Sequence, residues 1–455
     1  MASNDEAAVI EHEFVANLTR LIDEHRLDDA SALLAEQPDH VIGGELGRLE
    51  DVQMAVAFRL LEKDTGIEVF EELDPFDQQR LLESLRDEAF QHVVEGMDPD
   101  DRARMLQEAP AKVVKRVLAG LSPSERAMTA TLLGYPKGSV GRVMTPEVLA
   151  VPAWSTAAEA LHLVHQKGRH AESVYTLAAV DDTRQLVGVV ELSAIVVAEP
   201  DVLVKDLLDP DAVIVHATES AEEASRLMRE TNAYNMLVVD SEDRLVGLLS
   251  IDDAIEVIEE ADTEDTALQA GSTPWAGHYM AVGVFRLARY RALWLSLLLV
   301  AATLTVSVTQ AFEGTLVQVA QLALFIPMLI GAGGNAGAQA ATASVRALAI
   351  GELRFRDLPQ VAWRELRVGL LLGLMLALLG LGVGTLFVGA KIALVVAVSL
   401  VLICAWAATI GGAMPLLARK VGIDPAVVSA PLVTTLVDAT GLVIYFLIAK
   451  LVLGL

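Results

Sequence analysis

At 455 residues and 53% hydrophobic content, the chain is too long and too uneven for a single domain. Residues 1–270 carry 55 acidic and 22 basic side chains, net −33, whereas residues 271–455 carry 6 and 12, net +6. An acidic half ahead of an apolar half excludes a nucleic-acid binder, which needs clustered Lys and Arg; the charge serves either to attract cations or only to keep the half soluble. The single Cys404 lies in an apolar run, so neither a disulfide framework nor a thiolate metal site is expected. The start, MASNDEAAVIEHEF, lacks a basic region followed by an apolar core. No cleaved signal peptide is therefore expected, and the acidic half should remain in the cytosol.

From Leu49 to Leu133 an apolar residue recurs every twelve positions: Leu49, Leu61, Leu73, Leu85, Met97, Ala109, Leu121 and Leu133. The phrases LDPFDQQRLLESL, MDPDDRARMLQEA and LSPSERAMTATLL surround three of them. Asp or Ser before Pro is a helix-start signal, and twelve residues hold one short helix with its turn. A helical-repeat domain, stacked into a small superhelix, is expected over 1–139. The acidic turn Asp98, Asp100, Asp101 is explained by helix capping, or at Asp100 or Asp101 by a metal.

Between Val140 and Ala261 short β-branched runs alternate with helical patterns, and the segment repeats. VMTPEVLAV (143–151) matches LLDPDAVIV (207–215) at a spacing of 64, while LVGVVELSAI (186–195) matches LVGLLSIDDAI (245–255) at 59. Each copy reads strand, helix, strand, strand, helix. This resembles a tandem pair of CBS domains, a regulatory module that holds adenosine nucleotides or senses ions, with copies at 140–203 and 204–261. The second copy keeps the Gly-x-x-Ser-x-x-Asp phrase as Gly247, Ser250 and Asp253, which makes these three the candidate nucleotide (ATP) contacts; the first has Glu191 and Ala194 at the matching places.

A connecting segment, 262–285, follows. Asp252, Asp253, Glu256, Glu259, Glu260, Asp262, Glu264 and Asp265 crowd into fourteen residues. On a helix Asp252, Glu256, Glu259 and Glu260 share a face, where like charges repel. Such a face is either simply solvated or met by a cation or basic surface, and hard divalent cations prefer oxygen ligands. Gly271, Pro274 and Gly277 then interrupt the pattern before a helix containing Val282 to Tyr290.

Five apolar spans are legible in 286–455, at roughly 292–311, 316–346, 360–389, 392–418 and 426–453. Arginines 286, 289 and 291 precede the first, Arg346, Arg354, Arg356, Arg364 and Arg367 separate the second and third, and Arg419 and Lys420 separate the fourth and fifth. The positive-inside rule puts the N-terminus in the cytosol and the C-terminus outside a multi-pass protein of the plasma or inner membrane. In the second span Gly331, Gly333, Gly334 and Gly337 remove side chains where helices or a hydrated ion come close. Asn335, Gln339, Thr342 and Ser344 add polar groups. The last span has one acid, Asp438, about 20 Å along a helix from Pro425 and so near mid-bilayer. A charge there costs at least about 2.5–3.5 kcal/mol, which marks either an ion pathway or a neutral Asp bonded to a neighbour. No His follows His278 and sulfur is sparse, so a hard cation carrying much of its water, such as Mg2+, fits better than a soft metal.

A helical superhelix, two CBS copies, an acidic connecting helix and five spans together resemble the MgtE family of magnesium channels. The specific phrases are GAGGNAG (331–337), DPAVVSAPLVTTLVDATGLVIYF (424–446) and VIEEADTEDT (257–266). The resemblance implies a homodimer with the pore on its two-fold axis and Asp438 as its ion site. Gly334, Asn335, Gln339 and Thr435 are the expected lining. It implies a plug helix in the connecting segment, and regulatory Mg2+ on Asp253, Glu256 and Glu264 opposite Asp100 or Asp101. Some relatives have Asn where this chain has Ala430, so a polar contact there is missing. The expected fold class is therefore a multidomain membrane protein: α-superhelical N-terminal domain, α/β CBS pair and all-α five-helix membrane domain. The expected function is Mg2+ movement into the cytosol, shut by cytosolic Mg2+, with no enzymatic role. A carrier or exchanger for Co2+ or Ca2+, or a CBS-regulated receptor, are the alternatives. An intramembrane zinc protease would need H-E-x-x-H in a span, and no His lies there.

Overall fold

A computed structural model describes residues 14–85, 87–274, 283–428 and 430–455. The extreme N-terminus and the part of the connecting segment holding Gly277, His278 and Val282 lie outside these. The chain divides between Ala261 and Asp262 into two compact units.

The first unit opens with short helices that begin at Leu27, Asp39, Asp51, Lys63, Pro75, Asp87, Pro99, Ala111 and Pro123, every twelve residues. The apolar residue of each repeat stands two places before its helix. Leu49, Leu73, Leu85, Met97 and Leu121 are buried there in one continuous core. The repeat extends two units upstream of Leu49. His25 and Gln37 occupy the phase positions in those units, which is why hydrophobic periodicity alone did not disclose them. Capping differs among the three Pro-containing turns. Asp74 accepts from the backbone N–H groups of Phe76 and Asp77, and Ser122 forms a reciprocal capping box with Glu125. Asp98 makes no side-chain cap. Its backbone N–H instead donates to Glu71 Oε1 at 3.0 Å, so capping does not explain this acidic turn.

Two three-stranded sheets follow, β1 (Ala150–Pro152), β2 (Thr176–Val180), β3 (Leu186–Glu191) and β4 (Ile214–His216), β5 (Asn235–Val239), β6 (Leu245–Ser250). In each the first pair is parallel and the second antiparallel. The lead-in segments are exchanged. Thr145 pairs with Leu248 of the second copy, and the Asp209 N–H donates to Val189 O of the first. Gly247 lies under this crossover, because a Cβ there would stand 2.6 Å from Met144 Sδ; Gly188 lies likewise under Leu208. The copies are thus one interlocked body.

The acidic stretch is a single helix, Ile251–Gln269. The membrane helices are Val284–Ala311, Ile326–Ala349, Leu358–Val388, Ala390–Lys420 and Ala430–Leu453. The second span is not continuous from residue 316. A helix Glu313–Gln318 and a 3-10 turn Ala320–Phe325 precede it, because Pro327 lacks an N–H and restricts the residue before it. The buried Tyr445 hydroxyl donates to Leu322 O in that turn at 2.9 Å. The fourth span is the hub. Its Gly411 lies so close to Gly337 of the second span that an added Cβ would sit 2.2 Å from the Gly337 carbonyl oxygen. Gly369 and Gly373 of the third span meet the backbone at Cys404 and Val401 in the same way. Without Cβ atoms the helix axes approach closely, and packing replaces the hydrophobic drive that lipid removes.

Candidate ion pathway and cation sensor

The last helix begins at Ala430 rather than Pro425, so Asp438 lies in its third turn, about 12 Å along rather than 20 Å, on the side facing the second span. Its Oδ1 is buried and has no hydrogen-bond partner among the described residues. Gly334 stands opposite, where a Cβ would be 3.8 Å from that oxygen and 3.3 Å from Thr434 Cγ2. One turn earlier Thr434 and Thr435 both donate to Pro431 O, at 2.9 and 2.8 Å, which leaves their oxygen lone pairs to accept. Trp406 Nε1 fastens the fourth span to the last through Thr440 Oγ1 at 3.0 Å. A buried carboxylate oxygen without a donor costs about 1–3 kcal/mol or more, and the cost is met when a cation or its water arrives.

The glycine-rich span has two faces. Gly333, Gly334, Gly337 and Ser344 are buried against neighbouring spans, whereas Asn335, Gln339 and Thr342 are exposed on the other face. Gly334 therefore meets Asp438. Asn335 and Gln339 do not converge on it within this chain, since a helix turns successive residues by about 100°.

In the first unit the fold gathers carboxylates from distant parts of the chain. Asp100 is 6% exposed, and its Oδ1 has no hydrogen-bond partner. Burial, then Asp253, Asp101 and Glu172 nearby, push its pKa well above the ordinary carboxylate range. Burial pushes Asp253 up to about 7, with Asp252 and Asp101 adding to it, and Glu172 up to about 7, with Asp98 and Asp252 adding to it. Glu71 is pushed up to about 8, again by burial first. Glu71, Asp98 and Asp101 bring ligand oxygens within 4.8 Å of one another. Like charges held at this density are only partly compensated, by Arg102 and Arg104, until protons or further cations bind, and all-oxygen donors suit a hard divalent ion.

Of the residues expected to bind regulatory metal, Asp100, Asp101 and Asp253 join this cluster, and Glu256 reaches it through an ion pair with Arg104. Glu264 is exposed, eleven residues beyond Asp253 on the same helix, about three turns away. Sequence reasoning missed Glu71 and Glu172 as cluster members. Glu172 stands in no acidic run, and Glu71 lies in the run Glu71, Glu72, Asp74 beside a helix-start phrase, so no local signal separates it from a capping turn.

Gly247, Ser250 and Asp253, the expected nucleotide contacts, are each engaged within the protein. The Met144–Thr145 crossover covers Gly247, and the buried Ser250 hydroxyl donates to the Asp253 carboxylate. A cavity of about 860 Å³ lies elsewhere between the two copies, lined by Tyr175, Glu191, Ser193, Asp209, Tyr234 and Asn235 among others. Tyr175 and Tyr234 hold equivalent places in the two copies, and both are exposed. Two aromatic rings with nearby carboxylates suit a base and its ribose hydroxyls. The lining holds no Lys or Arg for a phosphate.

The family model described as a divalent cation transporter matches residues 326–448. That of the MgtE intracellular N domain matches 42–138, and that of the CBS domain 204–260. The magnesium transporter MgtE of Thermus thermophilus is 40% identical over 329 residues, 72% of this chain and 73% of its own length. The magnesium transporter MgtE of Bacillus subtilis is 33% identical over 321 residues, 70% of each. A crystal structure of the cytosolic domain of the Mg2+ channel MgtE in complex with ATP is 30% identical with a TM-score of 0.50, covering 53% of this chain and 99% of that one.

Proposed function

The chain belongs to the MgtE family of divalent cation transporters, and from that premise we propose that it moves hydrated Mg2+ across the membrane past Asp438. The observation that carries the reading is the buried, unpartnered Asp438 Oδ1 facing a residue with no side chain. Mg2+ gives up its water reluctantly, so an acid that attracts it and a glycine that leaves room for its shell are complementary needs. The exposed stripe of Asn335, Gln339 and Thr342 supports a homodimer, since polar groups turned from their own bundle find water or a second copy rather than lipid. Thr435 remains the further lining residue. The basic clusters beside the spans support a cytosolic N-terminus and an outer C-terminus.

The carboxylate cluster supports closure by cytosolic Mg2+. Asp100, Asp101 and Asp253, together with Glu71, Asp98 and Glu172, would hold regulatory ions. Mg2+ then favours the arrangement in which these groups meet, and its loss lets them repel. Glu264 belongs to this reading through the acidic connecting helix. The Tyr175–Tyr234 cavity supports an adenosine nucleotide such as ATP, which would bring its own cation to the phosphates.

The test of the pathway is Asp438→Ala in a strain that depends on this protein for Mg2+ uptake. Growth at limiting Mg2+ should disappear, and unchanged uptake would remove Asp438 from the pathway. The test of the sensor is protease resistance of the acidic half of the full-length protein, which should rise with millimolar Mg2+. An identical digestion pattern with and without Mg2+ would end that reading.

A further inference from the structure

One cation already sits within the carboxylate cluster. Arg104, on the helix Pro99–Glu108, lies 3.2 Å from Asp101 one turn before it, and also pairs with Glu256 on the helix Ile251–Gln269. Its side chain is 18% exposed, against 46% for Glu256, so the acid comes to a largely fixed guanidinium. The neighbouring Arg102 does not serve in this way. It is buried and its guanidinium is spent on Met97 O and Thr129 Oγ1. Among the described residues, Asp98, Asp100, Glu172, Asp252 and Asp253 form no ion pair within 4 Å. The cluster is therefore unevenly compensated. Asp101 and Glu256 share one guanidinium directly, whereas the carboxylates beside them have no ion pair and feel positive charge only from nearby, Arg102 at Asp98 and Arg104 at Asp253.

We infer that Arg104 is a resident cation of the sensor, bridging Asp101 to Glu256 as a metal ion would and sustaining part of the closed arrangement when Mg2+ is absent. A guanidinium is always charged and presents several donors in a rigid fork, so it can join two carboxylates from different elements at once. It carries half the charge of Mg2+ and cannot leave. The bridge therefore contributes a constant, metal-independent term, on which the metal-dependent term of the remaining carboxylates is superimposed. Its strength falls with ionic strength because one partner is solvent-exposed. The inference rests on the sensor reading above, and its test separates the two.

The experiment is limited chymotrypsin digestion of the full-length protein in detergent, in EDTA and across a MgCl2 titration, for the native chain, Arg104→Gln and Arg104→Lys. In EDTA at low salt Arg104→Gln should be cleaved faster, about fivefold for a partly buried pair, and Arg104→Lys should recover part of the protection. Raising NaCl should bring the native chain to the Arg104→Gln rate. At saturating Mg2+ all three should be protected alike. Equal cleavage of native and Arg104→Gln protein in EDTA at low salt would overturn the inference. A native chain insensitive to Mg2+ would instead overturn the sensor reading, while the EDTA comparison still decides the role of Arg104. If Arg104→Gln does not fold, as judged by circular dichroism at saturating Mg2+, Glu256→Gln breaks the same bridge from the other side. It should reproduce the faster cleavage in EDTA, and native-like cleavage would overturn the inference.

Discussion

Asp438 Oδ1 and Gly334 face each other across the interface of the last and second spans, with 3.8 Å between the oxygen and the place a Cβ would take. The acid on one helix thus depends on the absence of a side chain on the other. Gly334→Ala places a methyl 3.3 Å from Thr434 Cγ2 and beside the carboxylate, so it should reduce Mg2+ uptake several-fold at near-native expression. Gly382→Ala, in open space on the third span, should leave uptake unchanged. Measuring uptake of both in the same dependent strain checks the relationship, and equal rates would sever it.

Gly411→Ala tests packing rather than chemistry. Its Cβ would meet the Gly337 carbonyl oxygen at 2.2 Å, which is backbone and cannot rotate away. The cost should be about 1–3 kcal/mol or more, seen as a lower melting temperature of the detergent-solubilised protein. A native-like melt would mean the two helices part without penalty.

Stability of the acidic half should depend on pH in a definite direction. Glu71, Glu172 and Asp253 have pKa values of about 8, 7 and 7, above the ordinary range of unfolded carboxylates. The folded state therefore binds more protons than the unfolded one. Its stability in EDTA should be greatest below about pH 4 as far as these groups decide it, and decline as pH rises through 7 to 8. Mg2+ competes for the same oxygens and should restore the melting temperature at pH 8. A melting temperature in EDTA that rises between pH 5 and 8.5 would contradict the shifts.

Ser122 and Asp98 occupy equivalent positions in the repeat and should respond differently to removal. Ser122→Ala loses a capping box and should cost about 1 kcal/mol in denaturant unfolding. Asp98→Ala loses no side-chain cap and removes one like charge from the cluster. In metal-free buffer it should be at least as stable as the native chain.

Tyr234→Ala removes one ring of the cavity between the CBS copies. Titration calorimetry with ATP in the presence of Mg2+ should show binding weakened about five- to 150-fold, as expected where base stacking contributes about 1–3 kcal/mol. Ser250→Ala, whose hydroxyl is engaged with Asp253, should bind ATP normally. The reverse order would return the nucleotide to the second-copy motif.

Much of this architecture was legible in the chain. The twelve-residue period from Leu49 onward places each helix start, because each repeat must bury one apolar residue ahead of its helix. The offsets of 64 and 59 between the copies reappear as the offsets of β4 from β1 and of β5 and β6 from β2 and β3. The five spans follow from apolar length, although the break before Pro327 did not. The site was legible in part. Asp438 stands out because it is the one charged residue between Pro425 and Ala449. At Gly247 the motif gave no hint of the crossing of Met144, which the lack of a Cβ permits.

What the sequence by itself determined are properties set by residues near one another: helical period, apolar length, copy spacing, and the isolation of one acid within a span. These follow from local geometry and from which segments water or lipid will solvate. Only the tertiary structure decided which carboxylates meet, since Glu71, Asp98, Glu172 and Asp253 come from four separate segments. It also decided which face of the glycine-rich span meets Asp438 and which is left exposed. Those outcomes depend on how closely backbones without side chains approach across helices distant in the chain, a quantity that no single stretch of residues encodes.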